Sequence, residues 1–240
     1  MLNKEFKGVP LIESPFFENL KRLLPANIID IAEKLNQDGY AVIDFPDELF
    51  DARIERIKTD LKGKYDFDSW KKNGWKSRGG LRLTDRWTFN EDIKAIATNK
   101  IVLALLRELY GREPFPFQTL NYPVGTQQST HSDTAHFNSF PERWMCGVWV
   151  AFEDVDENNG PLVYYPGSHQ WPILWGEHLG LDLSKKQSPG QYLFDPAWRK
   201  NIELSGIQPV YFYAKKGQAI IWASNLLHGG SMQLDSNRTR

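Results

Sequence analysis

The sequence predicts an α+β domain with its helices first and its strands closed into a barrel. Helical apolar spacing is confined to residues before Gly111, whereas from Phe115 onward short apolar runs alternate with turn residues. With the run at 40–45, seven such runs read as strands, and closing them would leave no unpaired edge. Residues 1–24 show no period and read as an N-terminal arm. Residues 25–240 then form one domain, helical over 25–112 and barrel over 113–240.

Residues 25–36 read as a helix, with Pro25 in the first turn and Ile28, Ile29, Ile31, Ala32 and Leu35 at helical spacing. Asp38-Gly39 ends it, a strand follows over 40–45, and Pro46 stops that strand. Asp47 can cap a second helix through Leu61, with Leu49, Ile54 and Ile57 on its buried side. Residues 62–86 read as a long basic, aromatic loop. Lys62, Lys64, Lys71, Lys72, Lys76, Arg78, Arg82 and Arg86 there outnumber Asp66, Asp68 and Asp85, with Tyr65, Phe67, Trp70 and Trp75 interleaved. A solvated connection pinned by its aromatics is the plainest reading. A cover that meets an anionic substrate is the sharper one. Residues 91–110 read as one helix closed by Gly111. Strands are expected at 117–122, around His131 and Asp133, and at 145–152, 161–165, 207–214 and 218–224. The run at 145–152 is apolar enough for a strand buried on both faces. Residues 170–205 read as an irregular insertion.

The chain has 240 residues, a formal net charge of −1 and one cysteine, Cys146. A balanced charge offers no global field toward nucleic acid or a membrane. One cysteine excludes an internal disulfide. No apolar run is long enough to span a bilayer, and the first residues lack the apolar core of a signal peptide. A reducing, cytoplasmic compartment is expected. Nothing in the pattern speaks to oligomeric state.

Chemistry concentrates at His131-Ser132-Asp133. On a strand these two side chains share one face. With His228, which precedes Gly229-Gly230, they would supply two imidazoles and a carboxylate. That is the donor set of non-haem Fe(II) oxygenases, which leaves one face of the ion open. The two glycines permit close approach of another backbone. Of the other histidines, His178 reads as surface, His169 as a brace of the Pro166-Gly-Ser-His169 turn, and His136 as a polar neighbour of the site.

Several stretches together resemble the phytanoyl-CoA dioxygenase superfamily, which includes ectoine hydroxylase. They are His131-Ser-Asp133, Gly147-Val-Trp-Val-Ala-Phe-Glu153, Asn159-Gly-Pro-Leu-Val-Tyr-Tyr-Pro-Gly-Ser-His169, Gly217-Gln-Ala-Ile-Ile-Trp222 and Leu227-His-Gly-Gly230. The resemblance runs from about Ala26 to Arg240. It implies a double-stranded β-helix, a cupin-like jelly-roll barrel, with flanking N-terminal helices. It also implies Fe(II) on His131, Asp133 and His228, with 2-oxoglutarate and O2 as co-substrates.

The far carboxylate of 2-oxoglutarate needs a basic partner, and an arginine fork pairs with it bidentately. Arg238 and Arg240 are both candidates, since alternation puts them on one face, and family spacing favours Arg240. Trp149 matches a pocket tryptophan of the family and equally fits a core position. Ser231, Gln118 and Asn121 are further candidates for contact with the co-substrate or substrate. The family continues past the position of Arg240 into a last strand, so a chain cut short or a weakened clamp is expected. Asp133 points to hydroxylation or another oxidation, because related halogenases leave that ligand position to chloride. The reading is a dioxygenase that hydroxylates a C–H bond of a small molecule, with the basic loop suggesting an anionic one. The alternatives are an impaired metal-binding protein of the same fold and a nucleotide- or nucleobase-directed oxygenase, with nucleic acid ranked last.

Overall fold

The computed structural model of the chain describes residues 8–75, 81–137, 139–182 and 190–240. Lys76 and Arg78 of the basic stretch lie outside them, as does the chain before Gly8.

Residues 8–24 do not extend away as an arm. A 3-10 turn at Leu11–Glu13 and helix α1 (Phe17–Leu20) tuck Leu11, Ile12 and Phe17 into the helical core. Turns this short cannot display a 3.6-residue period, so the sequence looks patternless there. Helix α2 (Ile29–Asp38) ends at Gly39, whose φ of +82° lets its N–H reach Leu35 O at 3.0 Å. Strand β1 (Tyr40–Asp44) follows. Helix α3 (Phe50–Leu61) starts after Leu49, which is exposed, so Phe50 takes the expected buried place.

The stretch expected as a loop contains helix α4 (Phe67–Lys72), capped by Asp66. It buries Trp70 and packs Tyr65 on the core, so these aromatics pin the segment as the plainest reading expected. Strand β2 (Leu83–Thr84) comes next. The single helix expected over 91–110 is two, α5 (Glu91–Ala97) and α6 (Lys100–Tyr110). Asn99 breaks it because its Oδ1 accepts from Ile101 N and Val102 N, starting a new helix. Strand β3 (Leu120–Asn121) pairs with β2.

Strands β4 (Cys146–Val150) and β5 (Leu162–Tyr164) fall within their expected runs. The 170–205 insertion is not irregular throughout, for helix α7 (Asp195–Ser205) starts with Pro196 and ends at Gly206. Strands β6 (Val210–Phe212), β7 (Gln218–Ala223) and β8 (His228–Gly230) complete the chain.

The described residues form two three-stranded antiparallel sheets, β1-β7-β4 and β6-β5-β8, plus the β2-β3 ribbon. Alternation along β7 sorts the layers. Ala219 and Ile221 join the helical core, while Ile220 packs with Leu162, Tyr164 and Phe212 of the second sheet. Ring pairs bridge the sheets at Tyr40–Tyr164 and Trp149–Phe212. Strand β4 is therefore covered on one face by the second sheet. Its other face is more open than expected, with Val148 partly exposed to a cavity.

Candidate metal centre

His131 and His228 face each other as a directly bonded antiparallel pair, His131 N to His228 O at 2.8 Å and His228 N to His131 O at 2.9 Å. Opposed residues in such a pair project to the same face, so the rings meet with centroids 4.4 Å apart. The close approach depends on Gly229 and Gly230. A Cβ on Gly229 would lie 2.8 Å from Gln128 O, and one on Gly230 2.4 Å from Thr126 Oγ1. Asp133 does not continue a strand beyond His131, as alternation predicted. It opens a 3-10 turn, Asp133–Ala135, and Ser132 Oγ is anchored by Thr134 and by Asn225 Oδ1 at 3.0 Å. The turn carries the carboxylate to the same point by another route.

Asp133 Oδ1 lies 3.7 Å from His131 Nε2 and 3.6 Å from His228 Nε2. The three ligand atoms all sit within 4.8 Å of one another. Adjacent octahedral ligands at bonds near ~2.1 Å are about 3 Å apart, so a shared ion needs shifts below an ångström. The tautomers are set for it. His131 Nδ1 pairs with Ser129 O and His228 Nδ1 with Leu226 O, each at 2.9 Å. A carbonyl only accepts, so each Nδ1 holds the proton and each Nε2 keeps its lone pair. Burial, reinforced by His228, lowers His131 from 6.5 to about 3, and the imidazole is neutral at physiological pH. The other oxygen, Asp133 Oδ2, accepts from Trp222 Nε1 at 2.9 Å.

The triad opens on a cavity of ≈1280 Å³ lined also by Trp149, Gln118, Asn121 and Arg240. Arg240 is buried, lies 5.6 Å above the Trp149 ring and donates through Nη1 to Gly160 O. Its Nε and Nη2 have no partner, and no described carboxylate pairs with it. Burial lowers its pKa to about 10, so it stays charged at neutral pH. The terminus holding it is not loose. Arg240 N donates to Pro123 O, and Asn159 Nδ2 donates to Thr239 O at 2.9 Å. A buried cation with two idle donors fits a carboxylate. Arg238 is turned away and pairs with Asp156 at 3.0 Å on the surface. Asn121 Oδ1 and Ser231 Oγ are buried without partners, Asn121 at the cavity wall and Ser231 outside its lining. Trp149 serves both readings, as it lines the cavity and packs on Phe212.

Three participants were not singled out in the sequence: Trp222, Gly147 and Gln128. A Cβ on Gly147 would lie 2.1 Å from Trp222 Cε2, so that glycine makes room for the indole. A glycine inside an apolar strand is itself a sign of close approach. His136 lines the cavity with its ring 5.2 Å from His131, His178 is exposed, and His169 Nε2 braces Asn36 O at 3.0 Å.

A model of the phytanoyl-CoA dioxygenase family matches residues 35–240. The chain belongs to this family. Bovine peroxisomal phytanoyl-CoA dioxygenase is 30% identical over 108 residues, 41% of this chain and 27% of the relative. The mouse phytanoyl-CoA dioxygenase domain-containing protein 1 is 29% identical over 115 residues, 45% of this chain and 38% of the relative. The matches thus span well under half of these relatives' length. Among solved structures, the epimerase SnoN in complex with Fe3+, alpha ketoglutarate and nogalamycin RO aligns with a TM-score of 0.62. It is 17% identical over 88% of this chain and 80% of that one. EctD from S. alaskensis with 2-oxoglutarate and 5-hydroxyectoine aligns with a TM-score of 0.61, 19% identical over 95% and 76%. Likeness at this identity shows a shared fold. Within it, family membership agrees with the mixed helices and antiparallel sheets described above. No helix among the described residues is long and apolar enough to cross a membrane.

Proposed function

We propose that this protein is an Fe(II)- and 2-oxoglutarate-dependent dioxygenase that hydroxylates a C–H bond of a small molecule, on a jelly-roll barrel with flanking helices. The observation that carries this is the pairing, in one cavity, of the His131–Asp133–His228 triad with the unpaired buried cation of Arg240. His131, Asp133 and His228 would hold the iron, and Arg240 the far carboxylate of 2-oxoglutarate. Trp149, Asn121 and Gln118, which line the cavity, are candidate neighbours of that co-substrate, and Ser231 is set apart from it. Bound iron with 2-oxoglutarate and O2 supplies oxidative decarboxylation to succinate and CO2, coupled to oxidation of the substrate.

The chain's own residues do the rest. Ser129 O and Leu226 O fix the imidazole protons on Nδ1. Trp222 engages Asp133 Oδ2, which leaves Oδ1 toward the two histidines. Aromatic and aliphatic walls, among them Phe117, Phe137 and Val148, limit water at the site. Lys62 and Arg112 also line the cavity, with Arg112 3.9 Å over Trp144, which supports a substrate carrying an anionic group. A single cysteine supports a reducing, cytoplasmic setting. Anchoring of the last two residues, Arg240 N on Pro123 O and Thr239 O by Asn159 Nδ2, supports turnover over the impaired reading. Burial of Trp70 speaks against a nucleobase-stacking role for the basic stretch.

The test is succinate formation from 2-oxoglutarate with Fe(II) and O2, followed by a substrate screen for products that gain one oxygen atom. Wild type should form succinate and His131→Ala should not. Metal binding without any turnover across the screen would favour the impaired reading.

A further inference from the structure

Gln128 stands between two chambers. Its side chain lines the main cavity and also a smaller one of ≈330 Å³, formed with Arg82, Tyr122, Thr126, Ser129, Gln191 and Tyr192. Its Nε2 is 3.2 Å from His131 Nε2 and 3.1 Å from Gln191 Oε1. Gln191 comes from the far insertion, just ahead of α7. Its Nε2 donates to Ser129 O at 3.0 Å and Ser129 Oγ at 2.7 Å.

These bonds leave one arrangement of donors. Ser129 O can only accept, so Gln191 presents Nε2 to Ser129 and Oε1 to Gln128. Gln191 Oε1 can only accept, so Gln128 presents its own Nε2. Ser129 O also takes the proton of His131 Nδ1, which leaves His131 Nε2 as an acceptor. One N–H of Gln128 is thus spent on Gln191, and the other covers the lone pair that the triad needs for a metal. A cation at the triad takes that lone pair and strands the second N–H beside the open side of the site. An oxygen atom of a molecule seated there is its natural acceptor.

We propose that Gln128 orients the co-substrate or water beside His131 through this N–H, and that Gln191 is the positioning residue that holds it in donor orientation. This rests on the metal and 2-oxoglutarate reading above. It assigns a role to the 170–205 insertion, which reaches Gln128 through Gln191 and Ser129 through Gln191 and Asp195.

The sign of the effect on metal separates this from a structural role. A residue that merely braces the His131 loop strengthens metal binding, so its loss weakens it, typically 10–100-fold. Gln128 competes for the ligand lone pair, so its loss should leave affinity for the metal alone unchanged or tighter. Loss of one hydrogen bond to 2-oxoglutarate or its neighbouring water should weaken 2-oxoglutarate about fivefold.

The experiment is an anaerobic titration of full-length protein, first with Fe(II) and then with 2-oxoglutarate, reading the visible charge-transfer absorption of the iron–keto-acid complex. Gln128→Leu removes the donor. Gln128→Asn keeps an amide too short to span both partners and serves if the leucine variant does not fold. Gln191→Met removes the acceptor that orients Gln128. The expected result is undiminished Fe(II) affinity in all three, with weaker 2-oxoglutarate binding and a displaced absorption band. Unchanged 2-oxoglutarate affinity and band, or a fall in Fe(II) affinity, overturns the proposal. If wild type itself binds no Fe(II) or develops no band, the metal reading fails and the proposal goes with it.

Discussion

Trp222 Nε1 donates to Asp133 Oδ2 at 2.9 Å across 89 residues of sequence, and the space for its indole is the missing side chain of Gly147. Gly147 and Trp222 are register partners on β4 and β7. One strand pair therefore sets the aim of the carboxylate.

Trp222→Phe should keep the fold and lose the donor. Affinity for Fe(II) should drop about 10–100-fold, as for other outer partners of a metal ligand. Gly147→Ala should act in the same direction, since its Cβ would collide with the indole ring. Metal titration with a melting curve for each variant checks both, and full metal affinity in Trp222→Phe would contradict this role.

Arg240→Gln should weaken 2-oxoglutarate by roughly 10–150-fold, the range for losing hydrogen bonds to a charged group. Fe(II) affinity should stay near wild type. Arg238→Gln, which loses only a surface pair with Asp156, should change neither. Isothermal titration of the Fe(II)-loaded proteins decides between the two arginines.

Metal should stabilise wild type by mass action, by about 2.7 kcal/mol at a hundredfold excess over Kd. A chelator should remove that increment. In Asp133→Ala, neither metal nor chelator should shift the melting temperature, which a thermal scan reads directly.

Burial lowers His169 from 6.5 to about 4, so the folded protein holds it neutral. Between those two values the unfolded chain binds more protons than the folded one. Stability is therefore full above pH 6.5 and falls as pH drops toward 4, by up to about 1.4 kcal/mol per pH unit from this group. His169→Gln, which retains a donor for Asn36 O, should flatten that slope in urea denaturation. An identical slope in the variant would falsify the assignment.

Asn99→Ala should cost about 1–2 kcal/mol, because Asn99 caps α6 and also donates to Pro46 O at 2.9 Å. Urea unfolding measures it, and no change in midpoint would count against the cap.

The sequence by itself named the three residues of the candidate centre. His131, Asp133 and His228 stand beside turn and glycine signals that local reading detects, and the long motif over 159–169 marks the family. It also located most strands, since apolar runs bounded by Pro, Gly and Asn are local. What local reading missed was hidden by competing signals. Asn99 interrupts a helix whose apolar stripe looks continuous, and α7 sits among aromatic and turn residues that obscure its Asp195-Pro196 start. Only the tertiary structure decided what lies between distant segments. It chose Arg240 for the cavity and sent Arg238 to Asp156, a choice alternation could not make. It recruited Trp222, Gly147 and Gln191, whose partners are far along the chain. It also brought Asp133 to the triad by a 3-10 turn. The reason is physical: a residue's propensity is written in its neighbours, but hydrogen-bond partners and burial arise only when sheets pair and layers pack.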